Sequence, residues 1–301
     1  MGRYAKRNKN LKKRKLKDQI YDVLTSKFNS GKGRSRHKDK ESGLDAKYIY
    51  TDKTYYTYME QSKRFASWCM ENHPEARTLK DCRKYVDEYL QKYINDGKSP
   101  WTIKTIACAL SKLYGVSTTE FIATPSRTRA EIVRSRKDVN YGRHISAEME
   151  QQYAKITSAT GLRRREMLKI RGESLFYDKD GNPWINISDG TKGGKPRTAP
   201  VIGTKEEKAA IVELFTRAGT QRVVPYLPKT YDNHHYRGVY ATRLYNQLAR
   251  PIETIPHDEK YFCRNELKGV VYDKRAMQEV SKALGHTRVT VIASSYLYAP
   301  E

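Results

Sequence analysis

Four short stretches of the chain put guanidinium, ammonium, imidazole and phenol groups at spacings suited to handling an anion. The first is Thr160-Gly161-Leu162-Arg163-Arg164-Arg165-Glu166. Three arginines at the start of a helix lie against its positive dipole end, which is unfavourable unless an anion sits there. Glu166 follows Arg163 by three residues, on the same helical face, and can hold that guanidinium in position. The competing reading is a solvated charge cluster. The second stretch is His234-His235-Tyr236-Arg237. On a helix, His234 and Arg237 share one face, although a lone histidine is more often structural. The third is Leu284-Gly285-His286, with Tyr296 ten residues further on. Gly285 can end a helix in a left-handed turn and set His286 at the entrance to the next. The fourth, Thr191-Lys192-Gly193-Gly194-Lys195-Pro196-Arg197, is a glycine turn between strands, from which a lysine can reach into a groove.

The elements that must carry these groups are mostly helical. From about Tyr48, the positions Tyr55, Met59, Phe65, Trp68 and Cys69 fit one face of a long helix. Thr78 and Asp81 make a capping-box-like start for Leu79, Cys82, Val86, Tyr89, Leu90 and Tyr93. Gly97 stops that run. Ser99 and Pro100 open another helix, with Ile103, Ile106, Ala107, Leu110 and Leu113 inward. Residues 47–125 therefore read as a compact helical domain. Residues 126–145 lack apolar periodicity and carry Arg127, Arg129, Arg134, Arg136 and Lys137, as a linker would that lies along phosphates. Ser146 caps the first helix of a second domain, 146–301, with Met149, Tyr153 and Ile156 on it. Strands are expected at 184–187 and 198–202, a Thr204-capped helix after them, and helices near 234–250, 275–284 and 287–296.

Composition narrows the partner. The 301 residues hold 58 Lys and Arg against 34 Asp and Glu, a net charge of +24. Self-repulsion of that size is relieved by a polyanion, and nucleic acid is favoured over an anionic membrane surface. No apolar run is long enough to cross a bilayer, and the basic N-terminus lacks the apolar core of a secretion signal. Cys69, Cys82, Cys108 and Cys263 show no metal-like spacing. They read as reduced thiols of a cytoplasmic protein, the first three as small core residues. Residues 1–40 carry 15 Lys or Arg and 3 Asp, so 15 − 3 gives +12, half of the whole excess. This basic segment, 1–46, is expected to be mobile in the free protein and to wrap on DNA, with Ile20, Val23 and Leu24 available for a short helix.

In this order, the clusters resemble the tyrosine recombinase or phage integrase family. Its catalytic domain is marked by an arginine in a TGLR-type box, a hairpin lysine, an HxxR box, an LGH box and a terminal tyrosine. The resemblance is close over 140–301, and the helical region with "GKSPWTIKTIACALSKLYG" looks like the family's SAM-like core-binding domain. It implies a mostly α fold with a small antiparallel β-sheet, arranged as a two-domain DNA clamp. Box by box, it assigns Arg163, Lys192, His234, Arg237, His286 and Tyr296 as catalytic, with Glu166 in support. Arg127, Arg129, Arg134, Arg136, Lys137, Lys195 and Arg197 are expected on DNA. The implied activity is site-specific strand exchange through a 3′-phosphotyrosine, with no cofactor and no metal. The implied partners are double-stranded recombination sites, with a homotetramer on paired DNA, a monomer when free, and room for DNA-bending or directionality proteins.

Elementary chemistry fits those roles. Attack on a phosphodiester builds charge on two non-bridging oxygens, and two rigid guanidinium forks suit that geometry. Lys192 is the candidate acid for the departing 5′-oxygen. His234 accepts the Tyr296 proton or holds it in place, and His286 hydrogen-bonds the phosphate. Three features depart from the family pattern. Tyr296 follows His286 by one residue more than is usual, with Tyr298 as a rival. His286 follows Arg237 by 286 − 237 = 49 positions, a long spacing that marks 252–274 as an insertion like those in integrases of Gram-positive mobile elements. Only five residues follow Tyr296, so the family's long C-terminal segment is absent or removed. A type IB-like topoisomerase and a catalytically silent DNA-binding regulator are the alternatives. Relaxation of a plasmid without a specific site favours the first, and joining of two defined sites favours recombination.

Overall fold

The computed structural model describes residues 15–128, 145–191, 194–264 and 267–297. The chain divides into two compact units at Arg127 and Thr128. Among the described residues no helix is long and apolar enough to cross a membrane.

The first unit is helical: α1 (Leu16–Asn29), α2 (Arg36–Glu41), α3 (Asp52–Asn72), α4 (Leu79–Cys82), α5 (Val86–Asn95) and α6 (Pro100–Tyr114). Thr51 caps α3 by accepting the Thr54 N–H at 3.2 Å. The Thr78–Asp81 capping box is present, with bonds of 3.2 and 3.0 Å. α3 packs between α1 and α6, and Phe65, Ala66, Cys69, Ile106, Ala107 and Leu110 lie in the buried centre. Cys69 and Cys82 are buried free thiols, while Cys108 is half-buried.

Within the basic N-terminal segment the expected short helix is present, and it is packed rather than mobile. From Leu16 it is a four-turn helix, with Leu16, Ile20 and Leu24 in the same core as Phe65. Gln19 clamps it by donating to the Arg77 carbonyl and accepting from the Leu79 N–H, both at 3.1 Å. The i, i+4, i+8 spacing of the three apolar residues is the physical reason.

The second unit begins with α7 (Ala147–Thr160), capped by Ser146 as expected, and a single turn, α8 (Arg164–Met167). An antiparallel meander follows: β1 (Leu175–Tyr177), β2 (Pro183–Ile187) and β3 (Arg197–Pro200). Ile185 pairs with Ala199 and Ile187 with Arg197. β1 escaped the sequence reading because it has only three residues and little burial. Thr204 and Glu207 form a capping box on α9 (Lys205–Ala218). Then come α10 (Asn233–Leu248), α11 (Lys274–Ala283) and α12 (Thr290–Ser295). The expected insertion forms a hairpin of β4 (Lys260–Phe262) and β5 (Val271–Asp273). Arg250 fixes its base through paired bonds to Asp273 at 2.8 and 2.9 Å. The core of this unit gathers α7, α10, α11 and the inner face of the meander, with Ile185, Ile187, Ala199, Tyr240, Met277 and Ile292 buried.

Candidate active site

Two helix ends converge on one carboxylate. Gly161 closes α7 in the left-handed region at φ 61°, and a Cβ there would lie 2.5 Å from the Tyr240 ring. At the other end, α11 closes in a Schellman motif. The His286 N–H donates to the Ser281 carbonyl and the Gly285 N–H to Lys282, both at 2.8 Å, with Gly285 at φ 66°. The sequence predicts this turn, and it sets His286 after the helix. Each helix end leaves carbonyls without an intrahelical partner at the negative end of its dipole.

Three guanidiniums occupy those carbonyls. Arg237, on α10 and only 1 % exposed, donates to the Gly161 and Leu284 carbonyls. Arg163 Nη2 also donates to Leu284, at 2.8 Å. Arg197 donates to the Ala283 carbonyl and, at 3.3 Å, to Gly161. Between them lies Glu166, fully buried. Its Oε1 accepts from Arg163 Nη1 at 2.8 Å. Its Oε2 accepts from the Arg163 backbone N–H and from Arg197 Nη2, each at 2.7 Å. Burial pushes the Glu166 carboxyl up, but Arg197, the Arg163 N–H and Arg237 outweigh it and hold it below its ordinary value. Three cations and one anion leave 3 − 1 = +2 in this cluster.

Tyr296 completes the group. Its hydroxyl accepts from Arg237 Nε at 3.2 Å and lies 3.1 Å from His286 Nε2. The residue follows the last turn of α12, its N–H bonded to the Ile292 carbonyl at 3.0 Å. Buried Ile292 anchors that helix, and Val289 packs against the same core. The helix stops at Ser295, so the hydroxyl is aimed by these two bonds rather than by a continuing helical face. His234 is exposed, its ring centroid 5.2 Å from that of Tyr296. Asn233 ties the start of α10 to the Arg163 turn by donating to the Leu162 carbonyl at 3.0 Å. Burial pushes the Arg237 guanidinium down to about 10, the other two arginines add to this, and Tyr296 opposes it. An entering anion relieves that strain on charge.

The structure thus brings together Arg163, Glu166, Arg237, His286 and Tyr296, with His234 at the edge. Lys192, Arg129, Arg134, Arg136, Lys137 and Tyr298 lie outside the described residues. Arg127 and Lys195 are exposed. One expectation is corrected: Arg197, placed with the DNA contacts, has a side chain only 5 % exposed and ion-paired to Glu166. The signal was strand parity, since Arg197 shares the inward face of β3 with Ala199. The arginines after Arg163 also part company. Arg164 donates to the Leu227 and Pro228 carbonyls, and Arg165 is exposed.

No family model and no curated protein matches the chain. Solved structures do. The XerH site-specific recombinase bound to palindromic difH substrate, in a post-cleavage complex, matches at 14 % identity and TM-score 0.51, over 94 % of this chain and 91 % of that one. The XerH pre-cleavage complex has a TM-score of 0.49 at 16 % identity, over 93 % and 91 % of the two chains. The Tn1549 transposon integrase with circular intermediate DNA has 0.46 at 12 %, over 95 % and 96 %. The first of these carries the conclusion. The chain has the tyrosine-recombinase fold, helical with small antiparallel sheets.

Proposed function

We propose that the protein is a site-specific tyrosine recombinase that cuts and rejoins DNA through a 3′-phosphotyrosine on Tyr296, serving the integration or excision of a mobile element. The observation that carries this reading is the Tyr296 hydroxyl held between Arg237 and His286, beside a buried +2 cluster. In the reaction, Tyr296 Oη bonds to phosphorus, the P–O5′ bond breaks and the 3′-phosphotyrosine forms. Arg163 and Arg237 turn their remaining N–H donors to the two non-bridging oxygens, whose charge grows in the transition state. His234 or His286 takes the phenol proton, and Lys192 protonates the departing 5′-oxygen. Attack by the 5′-hydroxyl of a second strand reverses each step, so the bond energy is kept without ATP. Recombination joins two duplex sites, which calls for four protomers on paired DNA, in the cytoplasm where that DNA lies.

The test uses the full chain and sheared genomic DNA carrying its gene and both flanks. An SDS-resistant protein–DNA adduct is expected in EDTA. It should vanish in Tyr296→Phe, persist in Tyr298→Phe, and leave DNA binding intact in both. Arg163→Ala and Arg237→Ala should each slow adduct formation by about 100- to 1,000-fold. An adduct retained by Tyr296→Phe, or strict dependence on magnesium, overturns the mechanism. Relaxation of a plasmid without joining of two defined sites turns the reading towards a topoisomerase.

A further inference from the structure

The surroundings of Arg197 give it a task inside the site. Its partners come from three separate elements: Glu166 on α8 at 2.7 Å, the Gly161 carbonyl at the end of α7 at 3.3 Å, and the Ala283 carbonyl at the end of α11. Each partner borders a second guanidinium. Glu166 also holds Arg163. Gly161 also accepts from Arg237. Ala283 precedes Leu284, whose carbonyl serves both Arg163 and Arg237. The approach to the turn before His286 is equally close, because a Cβ on Gly285 would lie 2.7 Å from Arg197 Cδ.

We propose that Arg197 is a positioning residue for strand cleavage: it ties Glu166, and through it Arg163, to the turn carrying Leu284 and His286, so that the phosphate clamp is assembled before DNA arrives. This rests on the reading of the chain as a DNA-cleaving enzyme. Arg197 also opens β3, so the same side chain joins that strand to the clamp. A guanidinium suits the task because its planar fork sends donors to divergent acceptors, whereas an ammonium is a point charge on a flexible stem. A salt bridge that served packing alone would have no need of a third cation beside two others, since like charges oppose one another in a buried site.

The charge state of Glu166 supplies a readout. The charged groups facing it are Arg163, Arg197 and Arg237, and Arg197 is the foremost of those holding the buried carboxyl ionised. Without Arg197 the largest opposition to burial is gone, so Glu166 should take a proton at higher pH than in the parent.

The experiment compares Arg197→Lys and Arg197→Gln with the parent, all full-length, on the DNA fragments that the parent captures covalently. Single-turnover adduct rates are followed from acid to alkaline pH, with DNA affinity, its salt slope and thermal melting in parallel. Both variants should bind within about threefold of the parent, with the same slope, since the buried Arg197 neutralises no phosphate. Arg197→Gln should cleave about 100-fold more slowly, with a new loss of rate towards acid pH. Adding Glu166→Gln to it should cost little more, because the two residues act as one unit. Arg197→Lys keeps the charge, so its pH profile should stay with the parent while its rate falls about tenfold; it alone carries the test if Arg197→Gln does not fold. Rates within about threefold of the parent overturn the proposal. So does a parallel fall in affinity and salt slope, which would return Arg197 to the DNA surface. A pH-independent loss that adds fully to that of Glu166→Gln would reduce it to scaffolding. If the parent itself forms no adduct, the enzyme reading fails instead.

Discussion

At the scale of single residues, the site is a balance between burial and charge. Among the described residues, Glu166 is the only acid paired with this group of three guanidiniums, and its ionised form is what they require. Because its carboxyl is held below the ordinary value of 4.5, folding gains a contribution that is complete above that pH and is lost as pH falls through the lowered folded value. Glu166→Gln should therefore be less stable than the parent near neutrality, with the difference shrinking in acid. Urea melts at a series of pH values check this, and a difference that grows in acid would reverse the assignment. The role of Glu166 was legible in the sequence from its three-residue spacing after Arg163. That of Arg197 was not, because arginine is rarely buried without a partner, and its partner lies 31 positions earlier in the chain. Only the inward parity of β3 hinted at it.

Among the elements, caps were the best guide to structure. Ser146, Thr78 with Asp81, and Thr204 all start helices where the sequence predicts them. Gly161 and Gly285 end theirs with φ of 61° and 66°. These motifs are local, and they set the two carbonyl ends on which the arginines converge. What local pattern could not supply was weight against charge. Residues 16–29 carry Lys17 and Lys27 beside Asp18 and Asp22; Ile20 and Leu24 signalled a short helix, but this polarity hid that the helix, with Leu16, belongs to the first unit's core. The β4–β5 hairpin was hidden because its strands are only three residues long, too short to show a period. If α1 is part of the first unit's core, Leu24→Ala should destabilise it by about 2–5 kcal/mol, the usual cost of emptying a buried leucine site. Leu24 is fully buried. Chemical denaturation of the parent and variant measures this, and an unchanged midpoint would restore α1 to a solvated segment.

For the whole molecule the question is what the charge of +24 does. The site accounts for little of it, since three arginines and Glu166 add only two. A denser source is the start of the chain. Residues 1–14 contain Arg3, Lys6, Arg7, Lys9, Lys12, Lys13 and Arg14 with no acid, so their removal takes the net charge from 24 to 24 − 7 = +17. The cut must fall before Leu16, because Leu16 is buried at the start of α1 and a longer deletion would remove core as well as charge. A chain starting at Lys15 should therefore keep the parent's melting temperature. If these side chains neutralise phosphates, every phosphate left without its cation lowers the slope of log affinity against log salt by about 0.9. The truncated protein should then bind a random-sequence duplex more weakly at low salt, and the two affinities should converge as salt rises. A fall in slope of about 3 or more would mean that at least three of the seven cations lie on DNA. The parent's slope, kept unchanged by a truncated chain with an unchanged melt, would show that this charge serves solubility and that DNA is gripped elsewhere.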